Sequence, residues 1–247
     1  MTIFKKNILF TVSALLLATG VVASPAMAFT NEGVQPSPAS ASVAQVAIKF
    51  PDVNSGNAFS EEIYYLSGKG IIKGYPDGKF YPKASIKRID AVRMIIREMN
   101  PKDMSAPNPR YSDMNPKSPG YAEFAKAVEI GFISGKVKAD GTKYFDPNAT
   151  MTRAEMAKIL VEGYPNNLAY DGNKTFRDVS SKHWAKSYIS RLATGQITRG
   201  HGDGTFKPND DLSREHFSAF MARLLSSNFI PMDDSDEELV PYEPPQP

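Results

Sequence analysis

The chain reads as a mainly α-helical protein built from three helix-loop-helix units packed with approximate threefold symmetry. Two observations predict this. One pattern recurs three times at an interval of about 61 to 65 residues, and self-similarity at a fixed period is the signature of stacked or pseudo-symmetric units. Each copy also carries two stretches with apolar residues at helical spacing, too short to stand alone in water. Three one-faced helices most simply bury those faces on a common axis.

At the N-terminus, Lys5 and Lys6 precede an apolar run from Ile8 to Ala18 and the small-x-small site Ala26-Met27-Ala28. That is the plan of a secretory signal peptide, so residues 1–28 are expected to be removed after Ala28. The run is too short to cross about 30 Å of hydrocarbon. No later stretch is apolar enough, so no membrane span is expected after signal removal. Residues 29–47 are rich in Ser, Ala, Pro and Gln without a period and read as a flexible leader.

The first unit, residues 48–100, opens with Phe50-Pro51-Asp52-Val53 and continues through Gly74, Asp77, Gly78, Phe80 and Pro82 to Arg88. The second, residues 109–165, repeats this with Tyr111, Asp113, Gly135, Asp140, Gly141, Phe145, Pro147 and Arg153. The third, residues 174–227, has Phe176, Asp178, Gly200, Asp203, Gly204, Phe206, Pro208 and Arg214. The second helix of each unit carries the cleaner apolar face: Ile89, Val92 and Ile96; Met156, Ile159 and Leu160; Phe217, Phe220, Met221, Leu224 and Leu225. In the third unit the first helix has Trp184, Tyr188, Ile189 and Leu192 on one face. Between the helices, Asp-Gly supplies the positive φ that a tight reversal needs. The second loop is four residues longer than its siblings, running Lys136 to Lys143. Residues 228–247 combine six acidic residues with five prolines and read as a disordered, solvated tail.

The whole chain has 29 Lys+Arg against 27 Asp+Glu, and losing Lys5 and Lys6 leaves it near neutral. With no basic stripe, nucleic acid is not expected as a partner. An exported chain without cysteine has no disulfide staples, and the repeats must bury enough apolar surface unaided. A single Asp per turn is too few oxygen ligands for calcium. His183, His201 and His216 lack metal-ligand spacing, so no metal or cofactor is expected.

The chemistry concentrates at the start of each second helix. Thr152-Arg153-Ala154-Glu155 is a capping box, which fixes Arg153 on the first turn beside free backbone amides. A helix start plus a guanidinium suits a carboxylate or phosphate. One such arginine would more simply pair with a neighbouring acid, but Arg88, Arg153 and Arg214 share one register. The other caps are degraded: Ser213-Arg214-Glu215-His216 keeps the hydroxyl without the reciprocal Glu, and Lys87-Arg88-Ile89-Asp90 keeps an acid without the hydroxyl. Each loss weakens its helix start by about 1 kcal/mol.

The aromatic-x-Asp-Val opening, His183-Trp184-Ala185, the Gly-aromatic-x-Asp-Gly-x-Phe-x-Pro turn and Thr152-Arg153-Ala154-Glu155 together resemble the S-layer homology domain. Three tandem copies cover about residues 48 to 226. The resemblance implies a pseudo-threefold prism around a central three-helix bundle. It also implies grooves between adjacent repeats that hold, non-covalently, a secondary cell-wall polysaccharide attached to peptidoglycan, often one bearing a pyruvate ketal. In the family the motif arginine is a principal ligand contact, which carries to Arg153 and to Arg88 and Arg214. Gly74, Gly135 and Gly200 become groove glycines, followed by Tyr75 and His201 in two of the units. Trp184 is either a sugar platform or core. Asp52, Asp113 and Asp178 either contact the glycan or cap the following turn, the second role being favoured, while Thr152, Glu155 and Ser213 cap helices.

Departures from the pattern set the grooves apart. The first unit has Asn57-Ala58-Phe59 and the second Ser118-Pro119-Gly120 where the third has His-Trp-Ala; Lys136 follows Gly135; and Gln196 stands where the other units have Gly70 and Gly131. One or two competent grooves are expected, with that of Arg153 foremost. The expected function is a non-enzymatic anchoring module of an S-layer or S-layer-associated protein, secreted to the wall of a Gram-positive bacterium, where other surface proteins are further candidate partners. Two alternatives are a wall-associated enzyme and a lattice-forming S-layer subunit. No paired carboxylates stand apart from the scaffold, and no room for a catalytic domain or large assembly domain is expected beside the repeats.

Overall fold

A computed structural model describes residues 48–168 and 173–230. The expected signal peptide, the leader up to residue 47 and the acidic stretch from residue 231 lie outside the described residues. Each repeat contributes two helices: α1 (Ser60–Gly68) and α2 (Arg88–Met99), α3 (Tyr121–Ile130) and α4 (Arg153–Gly163), α5 (Lys186–Thr194) and α6 (Arg214–Leu225). The longer second loop folds into a hairpin of β1 (Lys136–Val137) and β2 (Lys143–Tyr144), with Lys136 opposite Tyr144. A 3₁₀ turn, Ser227–Phe229, carries the fold past residue 227 and sets the Phe229 ring 4.8 Å from that of Tyr65. Among the described residues no helix is long and apolar enough to cross a membrane.

The apolar faces read from the sequence form one continuous core. Val92 and Ile96 of α2, Met156 and Leu160 of α4, and Phe217, Phe220 and Met221 of α6 are all buried in it. Each such side chain contributes about 1.5–3 kcal/mol through burial, which is what a chain without disulfides needs. Phe80, Phe145 and Phe206, one from each turn, are fully buried and plug the interior beneath the Asp-Gly reversals. Trp184 departs from the helical-face reading. It precedes α5 by two residues and is 56% exposed, while Ile189, Leu192 and Ala193 carry the buried apolar face.

The repeats close on one another in cyclic order. α3 packs on α2, α5 on α4, and α1 on α6, so every second helix receives the first helix of the next repeat and the last seam returns to the first unit. The segments leading into the second helices pair through single antiparallel bridges: Ser85 with Ser213, Lys87 with Thr150, and Thr152 with Asp211. Their hydrogen bonds run in a circle, with Ile86 N–H donating to Leu212 O, Leu212 N–H to Met151 O, and Met151 N–H to Ile86 O.

The same closure corrects the reading of the helix starts. Helix N-termini leave amides without intrahelical partners, but here the next repeat supplies acceptors. Arg88 N–H and Ile89 N–H donate to Ala149 O and Pro147 O; Arg153 N–H and Ala154 N–H to Asp210 O and Pro208 O; Arg214 N–H and Glu215 N–H to Ala84 O and Pro82 O. The first two amides of each second helix are therefore committed to the scaffold, which leaves the side chains as the main source of anion-binding capacity.

Candidate functional site

Each first-turn arginine reaches out of its own repeat into the turn of the next. Arg88 Nε donates to Phe145 O at 3.1 Å, Arg153 Nε to Phe206 O at 2.6 Å, and Arg214 Nε to Phe80 O at 2.8 Å. The guanidinium carbon then lies 5.1, 4.6 and 4.7 Å from the same phenylalanine's ring centroid, the stacking that a planar cation favours. Arg214 also lies 4.6 Å from the Tyr75 ring, held between two aromatics. No local pattern signals that the partners lie in the following repeat, 57 and 134 residues away for Arg88 and Arg214.

The third residue of the next repeat's second helix meets the outer edge of the guanidinium. Arg88 Nη1 is 3.0 Å from Glu155 Oε1, and Arg214 Nη1 is 3.2 Å from Asp90 Oδ2, which also accepts from Tyr75 Oη at 2.9 Å. Glu155 serves twice, because its Oε2 accepts from Thr152 N–H at 3.0 Å while Thr152 Oγ1 accepts from Glu155 N–H, completing the capping box. Asp90 and Glu155 as arginine partners were missed by sequence reasoning, although an acid two residues after the arginine in two of three repeats was a visible signal. In the third repeat that position is His216. Burial, with Arg153 nearby, pushes its imidazole down to about 3, and Ser213 Oγ accepts from its backbone N–H.

The remaining motif residues hold the turns. Asp52 accepts from Phe80 and Tyr81 N–H, Asp113 from Phe145 and Asp146 N–H, and Asp178 from Phe206 and Lys207 N–H, all at 2.6–2.9 Å. Tyr81, Asp146 and Lys207 each sit at a φ between 54° and 61°, so the carboxylate pins a backbone that an L-residue resists. Gly74, Gly135 and Gly200 have φ of +67°, +65° and +79°, and a Cβ on any of them would run into the ring of Phe50, Tyr111 or Phe176. These glycines let the opening aromatic lie flat against the turn.

Two of these junctions open as clefts. One, of about 180 Å³, lies at Arg88 and is lined by Gly135, Lys136, Glu155, Lys158 and Trp184, so all three repeats contribute to it. Trp184 stacks on His183 with centroids 5.8 Å apart and offers its indole to the cleft. The second, of about 390 Å³, lies at Arg214 with Gly74, Tyr75, Asp90 and Arg93. At the third junction Arg153 is only 4% exposed. Phe59 stands edge-on to His216 at 5.1 Å, and Asn57 Nδ2 donates to the buried Glu215, which Lys83 pairs at 2.6 Å. The first unit's Asn57-Ala58-Phe59 thus packs over this junction. His201 lies here too, its Nε2 buried without a hydrogen-bond partner among the described residues and its pKa lowered by burial and by Arg153.

The model of the S-layer homology domain matches residues 49–92, 110–157 and 175–218. The chain is 32% identical over 199 residues to an S-layer protein of Bacillus licheniformis, covering 80% of this chain and 22% of the relative. It is 34% identical over 183 residues to S-layer protein EA1 of Bacillus anthracis, covering 73% and 20%. Over 191 residues it is 27% identical to the exoglucanase XynX of Acetivibrio thermocellus, covering 75% and 17%. The matched segment is thus less than a quarter of each of these relatives.

Proposed function

The chain belongs to the S-layer homology domain family, and from that membership we propose that it is a non-catalytic cell-wall anchoring module that holds a secondary cell-wall polysaccharide without a covalent bond. A carboxylate-bearing sugar, such as a pyruvate ketal, sits in the clefts at Arg88 and Arg214. The observation that carries this reading is the exposed indole of Trp184 across from Arg88. A sugar needs an apolar platform for its C–H face, and an acidic substituent needs a guanidinium. Arg88 has five N–H donors; Nε is held by Phe145 O and Nη1 by Glu155, which orients the fork and leaves donors for a ligand. Lys136 and Lys158 add positive charge at the rim.

Surface-layer proteins and an exoglucanase share this segment as a minor part of their length. A segment shared by proteins with such different names is more simply read as an attachment module than as the seat of a reaction or a lattice, which favours the anchoring role over the wall-enzyme and lattice-subunit readings. Arg153 remains a candidate contact at the third junction, beneath His201.

The test is co-sedimentation with purified Gram-positive walls, before and after chemical removal of pyruvate, using wild type, Arg88→Ala, Trp184→Ala and Arg153→Ala. Arg88→Ala and Trp184→Ala should each weaken binding about tenfold or more. Binding indifferent to pyruvate removal and to all three substitutions would sink the carboxylate–arginine mechanism.

A further inference from the structure

The cleft at Arg214 does not end at Tyr75. It shares Lys73 and Arg97 with a neighbouring cleft of about 600 Å³ that runs past Lys69 toward Pro101 and Met104, so the two form one continuous depression along the first repeat. We infer that this depression holds a second anion subsite, between Lys69, Lys73 and Arg97, and that this face takes a glycan strand carrying at least two negative charges rather than one acidic end group. The inference rests on the anchoring function proposed above and extends the site to a class of ligand, an internally anionic polymer.

The charge arrangement is the argument. Three carboxylates line the depression, and each already has a partner elsewhere. Asp90 pairs with Arg214 at 3.2 Å and lies 3.7 Å from Arg93; Glu123 lies 3.6 Å from Arg93; and Glu98 accepts from Tyr164 Oη at 2.6 Å. Among the described residues no carboxylate pairs with Lys69, Lys73 or Arg97. Lys69 Nζ lies over the Tyr65 ring, 5.0 Å from its centroid, and Arg97 Nη1 donates only to the Ile71 carbonyl at 3.3 Å. Arg97 is half-buried and follows Arg93 by one helical turn, a like-charge spacing that helices avoid. Its pKa is lowered by burial and by Arg93, so the folded chain holds this cation at a cost. An anion at this place would relieve that cost, and a polymer already seated at Arg214 would present its next charge along the same depression.

The experiment uses the full exported chain and Lys73→Gln/Arg97→Gln, which leaves Arg88, Trp184 and Arg214 untouched. Wall affinity is measured at about 50 mM and about 500 mM salt, conditions that span strong and weak screening. The variant should bind about tenfold more weakly at the lower salt, with the gap closing at the higher. Equal affinity at both salts overturns the subsite. A parallel measurement follows the melting temperature with galacturonic acid and with trigalacturonate at equal total charge. The wild type should respond more to the trimer, and the variant equally to both; an equal response in the wild type, or the same gap in both proteins, overturns the inference. If the wild type does not sediment with walls, the anchoring function fails and the galacturonate comparison alone decides the subsite. The Arg97 exchange also removes a half-buried cation that has no ion pair among the described residues, so an unliganded melting temperature at or above that of the wild type shows that lost binding is not lost folding.

Discussion

At His216 a neutral imidazole occupies the place that Asp90 and Glu155 hold in the other two repeats. Burial chiefly, with Arg153 nearby, lowers its pKa from 6.5 to about 3. The unfolded chain then binds this proton more readily than the folded one, so the stability contribution is complete above about pH 6.5 and is lost as pH falls toward about 3. His201 is shifted in the same direction. The melting temperature should therefore drop between about pH 6.5 and pH 4, and His216→Gln should flatten that slope when unfolding is followed by circular dichroism. Gly135 poses a steric question instead. At φ +65°, a Cβ would lie 2.8 Å from Tyr144 O and run into the Tyr111 ring. Gly135→Ala should cost more than about 2 kcal/mol in denaturant unfolding.

The helices show where local sequence and neighbouring repeats divide the work. Lys87 caps α2 with an extended backbone but no side-chain hydrogen bond, whereas Thr152 and Ser213 cap α4 and α6. Lys87→Thr should stabilise the protein by about 0.5–1 kcal/mol, measured as a shift of the urea midpoint. Gln196 follows α5 at φ 60°, where Gly70 and Gly131 serve the other first helices at φ 71° and 96°. Gln196→Gly should gain about 1 kcal/mol by the same measurement. Caps, turns and apolar faces were legible in the sequence because each depends on residues a few positions apart. The destination of Arg214 was not, since Phe80 and Asp90 lie 134 and 124 residues away and only closure of the ring brings them together. Trp184 was ambiguous for a related reason: α5 begins at Lys186, so helical spacing counted from Trp184 assigned it to a face it never joins.

Across the whole molecule, cyclic dependence makes the repeats inseparable. The first-turn amides of α6 need the carbonyls of Pro82 and Ala84, and α6 needs α1 against its side. Residues 48–230 should melt in one calorimetric transition, and a fragment of residues 109–227 should lose hydrogen-exchange protection in α6 rather than retain two independently folded repeats. The termini of the described fold add a mechanical property. Ile48 exchanges two hydrogen bonds with Ser67, at 2.9 and 3.1 Å, and the Phe229 ring rests 4.8 Å from that of Tyr65, so both ends are tied to α1. Tension between whatever precedes Ile48 and whatever follows Phe229 would be borne by one helix and its seat on α6. The Arg88 cleft, lined by no residue of α1 or α6, would stay out of that load path, so tension between the two ends would leave its walls in place.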